Sequence, residues 1–134
     1  MSNYQTVEVR TTGKIEFVDI TARVREMLRS GKCGSGLLLV YTPHTTAAVT
    51  INENADPAVP HDIAEFLRRL VPGQDYFRHG EGNSPAHVMS SLVGASLALV
   101  VSDGEPILGS WQGIFFCEFD GPRQRRVLLK FVAG

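Results

Sequence analysis

The chain has 134 residues, of which 43% are hydrophobic and 20% charged, a balance typical of a globular protein and not of a disordered one. Its 13 basic and 14 acidic residues give a net charge of −1, so no global field attracts nucleic acid or an anionic membrane. This length predicts a single domain over residues 1–134. The two cysteines show no CxxC spacing, no secretory leader is seen and no apolar run could span a bilayer, which favours a cytoplasmic protein with reduced thiols.

The first elements predicted are two short strands and a helix. Alternating apolar residues over 7–9 and 15–18 indicate strands, and the polar turn between them indicates a hairpin. The period then changes to that of a helix, with apolar residues recurring over 20–28. Asp19 or Thr21 is a suitable cap for its start, and a glycine follows its end.

Two strands and a second helix are predicted next. The continuous apolar run 37–41 is typical of a strand covered on both faces, and the β-branched stretch 45–51 predicts its successor. Asp56 and the proline after it open a helix that stops at residues 71–73. Its predicted buried stripe consists of Val59, Ile63, Phe66, Leu67 and Leu70.

The last part of the chain predicts one more helix and three strands. Ser84 acts as a cap before a proline, and Gly94 is a natural stop. Apolar runs over 97–101, 114–119 and 127–132 complete the chain as strands. Strands at both ends with helices between them predict an α+β fold, a mainly antiparallel, sandwich-like sheet with about three helices.

Three histidines are the leading candidates for a functional site. His44 lies between two strands, His79 lies in a polar loop, and His87 lies near the start of a helix. Loop ends and helix starts are where proteins display binding residues, and three imidazoles with an open fourth position are one way to hold catalytic zinc. No fixed spacing unites these histidines, so three unrelated, locally hydrogen-bonded side chains remain the alternative.

A second polar cluster follows the strand 45–51. Asn52 and Glu53 lie there, just before Asp56. Glu53 is either a general base in the pocket or a partner of a histidine, or it belongs to an ordinary turn. For Asp56 we favour helix capping.

Two further groups could contact a ligand. Gln112 lies in a Gly-Ser-Trp-Gln-Gly segment between two strands, where Trp111 could also anchor the core. Arg123 and Arg125 would share one face of a strand, an arrangement suited to clamping a phosphate, although a solvated edge strand is the interpretation that we favour.

These residues carry a family resemblance. The segments 44–57, 84–87 and 109–113 resemble those of the YjbQ family, described as secondary thiamine-phosphate synthases, and the resemblance covers essentially the whole chain. It implies an α+β sandwich-like domain that assembles as a homotrimer, with a pocket between subunits where the family's histidines gather and can hold a metal. The positions that it carries over are His44, Asn52, Glu53, His79, His87 and Gln112.

The resemblance implies a transferase that joins a hydroxymethylpyrimidine diphosphate to a thiazole phosphate and releases pyrophosphate. The small phosphorylated substrates would be held by Asn52, Arg78, Gln112, Arg123 and Arg125. Glu53 and His87 would be the catalytic residues. A divalent metal, zinc or magnesium, would be held by His44, His79 and His87. The alternatives are a metal-dependent hydrolase or lyase, suggested by the histidines with Glu53 as base, and a non-enzymatic trimeric protein that binds a small ligand or metal.

Overall fold

The computed structural model describes residues 3–134, which form eight strands and three helices. The strands are β1 (Gln5–Arg10), β2 (Glu16–Asp19), β3 (Gly36–Tyr41), β4 (Ala47–Glu53), β5 (Ser96–Ser102), β6 (Glu105–Pro106), β7 (Gln112–Glu118) and β8 (Gln124–Ala133). The helices are α1 (Thr21–Ser30), α2 (Ala58–Leu70) and α3 (Ser84–Val93). None of these helices is both long and apolar enough to cross a membrane.

The strands form two antiparallel sheets. The large sheet has the order β1-β8-β3-β5-β6, and the small sheet has the order β2-β7-β4. Every strand pair in the described chain is antiparallel. The prediction of an α+β, mainly antiparallel and sandwich-like fold is confirmed.

Strand β7 lies at the centre of the packing because both of its faces are buried. Ile114 and Phe116 join the core between the two sheets, which also includes residues of α1. Phe115 and Cys117 face the other way and pack with residues of α3. Burial raises the pKa of the Cys117 thiol well above its usual value, as expected for a thiol inside an apolar layer.

The predicted hairpin near the N-terminus is wrong. Strand β1 pairs with β8 in the large sheet, whereas β2 pairs with β7 in the small one. The segment between them passes from one sheet to the other, and its Thr11 N–H donates to the carbonyl of Arg123 at 2.9 Å. Local alternation predicts a strand but carries no information about the sheet that the strand joins.

The helix starts were predicted to within about two residues. Asp19 accepts hydrogen bonds from the backbone N–H of Thr21 at 2.9 Å and from its hydroxyl at 2.6 Å, but the residue at the N-cap of α1 is Ile20 and not Asp19 or Thr21. Asp56 accepts from the N–H of Ala58 at 2.9 Å, one residue before Pro57, which is at the N-cap of α2. The residue before α3 is Asn83, so Ser84 lies inside the helix instead of capping it.

Two apolar surfaces that were predicted to be buried are exposed. Leu37 and Leu39 of β3 are 53% and 42% exposed, because only one face of the large sheet packs on the core. On α2, Phe66 and Leu70 are also exposed, and none of this helix's residues is fully buried. In a single copy of the chain, the apolar side chains of β3 and α2 that were predicted to be buried are therefore in contact with solvent.

Candidate functional site

A pocket lies between α3 and the segment that links β3 to β4. His44 from that segment and His87 from α3 both line it, and its volume is about 480 Å³. The lining side chains that carry hydroxyl groups are Tyr41, Thr42, Thr45, Ser90 and Ser91. The structure thus brings together two of the three predicted histidines.

A hydrogen bond fixes the neutral His44 ring in one tautomer. The backbone N–H of Arg126 donates to its Nε2 at 3.1 Å, so the neutral ring carries its proton on Nδ1. Burial, followed by the charges of Arg125 and Arg126, lowers the pKa of His44 below its usual value. His44 is therefore a neutral donor at physiological pH, in an environment that disfavours further positive charge.

Behind His44 lies a buried ion pair between Glu118 of β7 and Arg125 of β8, whose side chains are 0% and 4% exposed. Arg125 Nε lies 2.8 Å from Glu118 Oε1, and Arg125 Nη2 donates to Thr46 Oγ1, also at 2.8 Å. Thr11 Oγ1 donates to Glu118 Oε1 at 2.7 Å. Burial alone would raise the pKa of Glu118, but the hydrogen bonds from Arg125 and Thr11 outweigh this effect, and the pKa lies below its usual value. Glu118 therefore stays ionised inside the protein.

The predicted arginine clamp does not form. Strand β8 is an inner strand, flanked by β1 and β3, and not the solvated edge that was considered. Arg125 lies on its core-facing side, because side chains alternate along the strand and Val127 and Leu129 on the same face are buried. Arg123 lies just before β8, and its Nη2 donates to Asp120 Oδ2 at 2.9 Å. Each arginine is paired with its own carboxylate, so the two cannot grip one phosphate together.

Asp120 collects several positive or donating groups. Lys14 Nζ and Asn83 Nδ2 each lie 2.9 Å from its carboxylate oxygens, in addition to Arg123. Burial would raise the pKa of Asp120, but the hydrogen bonds from Asn83 and Lys14 and the charges of Lys14 and Arg123 lower it to about 2. This cluster fastens the start of α3 to the end of β7.

His79 lies beside His87 but not in the pocket lining. The two ring centroids are 5.1 Å apart, with the planes nearly perpendicular at 88°. His79 and its neighbour Arg78 are both exposed in the loop before α3. Whether Arg78 contacts a ligand stays a prediction.

The metal set predicted from the sequence does not fit this arrangement. Among residues 3–134, no three His, Cys, Asp or Glu side chains are grouped so that they could hold a metal ion. In addition, Nε2 of His44 is occupied as an acceptor and its Nδ1 carries the proton, so neither nitrogen has a free lone pair. His44, His79 and His87 therefore make no common metal site in one chain.

Asn52, Glu53 and Gln112 lie far from the histidines. Glu53 pairs with Gln112 at the end of β4, whereas His44 lies before the start of that strand. The length of β4 separates the two groups by about 20 Å, at roughly 3.3 Å per residue. Glu53 cannot act as a base for His44 or His87 of the same chain.

Two of these three side chains, Asn52 and Gln112, form hydrogen bonds with the backbone of their own segments. Asn52 Oδ1 accepts from the N–H of Glu53 at 2.7 Å, and Gln112 Oε1 accepts from the N–H of Gly109 at 2.8 Å. Trp111 is exposed and does not anchor the core of the single chain. The polar cluster closes turns at one end of the small sheet.

Sequence reasoning missed the buried pair and the hydroxyls of the pocket. Glu118 interrupts the apolar run Ile-Phe-Phe-Cys-Glu-Phe, and a carboxylate within a buried strand requires a buried partner. Ser91 follows His87 by four residues, the spacing that places two side chains on one helix face. Both signals were available in the sequence.

A second cavity, of about 430 Å³, lies under α3. Its walls are mainly apolar and include Val71, Met89 and Phe119. The two cations at this cavity, Lys14 and Arg68, are paired with Asp120 and Glu65. The histidine pocket is the better candidate because its polar groups include imidazoles and hydroxyls that are not tied up in ion pairs.

Comparison with known proteins gives the family. Residues 5–134 match the family described as "UPF0047 protein YjbQ-like". The chain belongs to this family. It is 50% identical to the UPF0047 protein MJ1081 of Methanocaldococcus jannaschii over 125 residues, covering 93% of this chain and 91% of the relative. It is 47% identical to the UPF0047 protein YugU of Bacillus subtilis, covering 96% and 98%.

A solved structure from Clostridium acetobutylicum shares the fold. It is described as an uncharacterized conserved protein of the YjbQ/UPF0047 family. It superposes with a TM-score of 0.92 at 42% identity, covering 96% of this chain and 99% of that one. The predicted family membership is confirmed along the chain.

The predicted thiamine-phosphate synthase activity is wrong on these findings. The family and these relatives are described without an activity, and none of the descriptions names a thiamine precursor. The residues assigned to that reaction are also divided, with Glu53 and Gln112 at the far end of β4 and Arg123 and Arg125 held by carboxylates. The metal-dependent hydrolase or lyase is no better supported, because the described residues form no three-histidine site.

Proposed function

We propose that the histidine pocket binds a small phosphorylated molecule. The observation that carries this proposal is the composition of the pocket wall: His44, His87 and five hydroxyl-bearing residues line it. No aspartate or glutamate is among the lining residues in the part of the chain that the structure describes. The hydroxyls of Ser90 and Thr42 already donate to backbone carbonyls, which leaves the imidazoles and the hydroxyls of Tyr41, Thr45 and Ser91 as donors for a ligand. A wall with such donors and no carboxylates suits an anion, since no fixed negative charge repels it.

The electrostatic surroundings support the same choice of ligand. Burial lowers the pKa of His44 most, and the charges of Arg125, Arg126 and Arg123 lower it further, while the charge of Glu118 opposes them. A neutral His44 offers Nδ1–H as a donor, while the arginines supply a positive potential without contacting the ligand. Phosphate oxygens accept hydrogen bonds from such donors without a proton transfer.

We further propose that the protein assembles as a homotrimer through the outer face of the large sheet. Leu37, Leu39 and Tyr41 of β3 point outward there, and in register Val100 of β5 and Val132 of β8 flank Leu37 on either side. Contiguous apolar surface of this kind is typical of an interface. Tyr41 also lines the pocket, so copies that meet on this face would meet beside the site.

The cytoplasmic location inferred from the sequence remains part of this proposal. Cys33 and Cys117 are both free thiols, which suits a reducing compartment. The divalent metal also stays a prediction, and elemental analysis of the purified protein tests it.

The experiment measures binding of inorganic phosphate by calorimetry. Wild-type protein should bind it, and His87→Ala should weaken binding roughly tenfold, the effect expected from losing one hydrogen bond to a charged group. His61→Ala is the matched control, because His61 is exposed on α2 and lies outside the pocket lining. Wild-type protein that binds no phosphate, or equal weakening in both variants, contradicts the proposal.

A further inference from the structure

We propose that the buried Glu118–Arg125 pair positions the segment of His44 through the hydrogen bond from Arg125 to Thr46. In that position the His44 ring keeps its proton on Nδ1. The consequence of this positioning for ligand affinity rests on the proposed phosphate binding, but its consequence for the His44 ring does not. Glu118 and Arg125 are positioning residues here, since neither of them lines the pocket.

The first step is the contact between Arg125 and the segment that carries His44. Arg125 Nη2 donates to Thr46 Oγ1 at 2.8 Å and lies 3.4 Å from the Thr46 carbonyl oxygen. That carbonyl also accepts from the N–H of Phe119 at 3.1 Å. Thr46 is buried, so its hydroxyl and its carbonyl are both fixed by groups of the inter-sheet core.

The second step leads from Thr46 to His44, two residues earlier. The ring of His44 accepts the N–H of Arg126, the residue that follows Arg125 in β8. Neighbouring residues of one strand thus hold two points of the same segment, one through a side chain and one through the backbone. If the bond to Thr46 is lost, the segment can move and His44 no longer has to accept from Arg126.

The third step is the reason why an ion pair occupies this position. Burying two charges costs desolvation energy that their attraction often fails to repay, so such pairs are weak evidence for a stabilising role. This pair has directional partners instead: Thr11 Oγ1 and the N–H of Asp120 fix the Glu118 carboxylate, at 2.7 and 3.1 Å. A carboxylate fixed in this way orients the planar guanidinium of Arg125 toward Thr46.

The test replaces Thr46 with valine, which keeps the shape of the side chain and removes its hydroxyl. Thr46→Ser retains the hydroxyl and should behave as wild type. Thr12→Val is the matched control, since it removes a threonine hydroxyl bond of similar length, to Glu16 at 2.8 Å, that does not involve the ion pair. The readouts are the ¹⁵N chemical shifts of the His44 ring, which report the protonated nitrogen, and the Kd for inorganic phosphate.

In wild-type protein and in the Thr46→Ser and Thr12→Val variants, the proton of His44 should lie on Nδ1. In Thr46→Val the ring should shift toward the Nε2–H tautomer, and the phosphate Kd should rise roughly three- to tenfold, the worth of one hydrogen bond. Arg125→Lys keeps the positive charge but loses the planar guanidinium with its several N–H donors. This variant should reproduce both the change of tautomer and the rise in the phosphate Kd. Folded Thr46→Val protein with an unchanged His44 tautomer overturns the proposal. A shifted tautomer in a protein that never binds phosphate sinks the proposed function alone.

Discussion

The side chain of Glu118 shows how one residue can link stability to the site. It lies in a strand whose other residues from Gly113 onward are all buried, and its charge survives there because Arg125 and Thr11 supply hydrogen bonds. Removing one member of such a pair leaves an uncompensated buried charge, whereas replacing both with apolar residues is often neutral. The pair is thus better explained by the position that it gives His44 than by the stability that it adds.

Asp120 gives the fold a defined sensitivity to acid. Its pKa in the folded protein is about 2, below the usual 3.8, so the ionised form stabilises the fold. That contribution is complete above about pH 4 and is lost as the pH falls toward 2. Asp120→Asn should lower the free energy of unfolding at pH 7 by about 1–2 kcal/mol and flatten its decline between pH 4 and 2. Urea denaturation across that range is the measurement, and an unchanged slope in the variant would refute this assignment.

Helix α3 combines packing and binding in adjacent residues. Ser90 is buried, and its hydroxyl donates to the carbonyl of Ala47 at 2.6 Å, which joins the helix to the start of β4. Ser91 is exposed and lines the pocket. The helix therefore fixes His87 relative to the segment of His44 while presenting a hydroxyl to a ligand.

The two serines should give opposite phenotypes on replacement with alanine. Ser90→Ala should cost about 1 kcal/mol of stability because it leaves a buried carbonyl without this donor. Ser91→Ala should leave stability within about 0.5 kcal/mol and raise the phosphate Kd roughly three- to tenfold. Thermal melts and calorimetry on the two variants distinguish these effects, and a loss of affinity confined to Ser90→Ala would reverse the assignment.

The sequence predicts most elements because their signals are local. A carboxylate one residue before the N-cap marks the starts of α1 and α2, and apolar runs mark β3, β5, β7 and β8. The sheet that receives β1 or β2 depends on pairing across more than a hundred residues, which no local period records. The same limit applies to the site. His44 and His87 were predicted to be displayed at loop and helix ends, but Glu53 was grouped with them although a whole strand lies between.

At the scale of the whole molecule, the outer face of the large sheet is an apolar surface that the described residues leave uncovered, in addition to the exposed side chains of α2. The outer face of the large sheet is polar along β1, where Glu8 and Arg10 are exposed, and apolar along β3 and β5. Because β3 is apolar on both faces, its sequence suits a strand between two layers, yet a single chain supplies only one layer. We propose that a second copy of the chain supplies the other layer.

Leu39→Lys should therefore dissociate the assembly. Leu39 lies in the middle of β3 and is 42% exposed, and a lysine there would place a desolvated charge in the interface of each copy. Sedimentation velocity should give wild-type protein a mass of three 14.7 kDa chains and the variant the mass of one. Glu8→Lys, on the polar part of the same face, is the control and should remain trimeric. A monomeric wild type would remove the assembly proposal, and a trimeric Leu39→Lys would move the interface to another surface, where the exposed apolar side chains of α2 are the next to test.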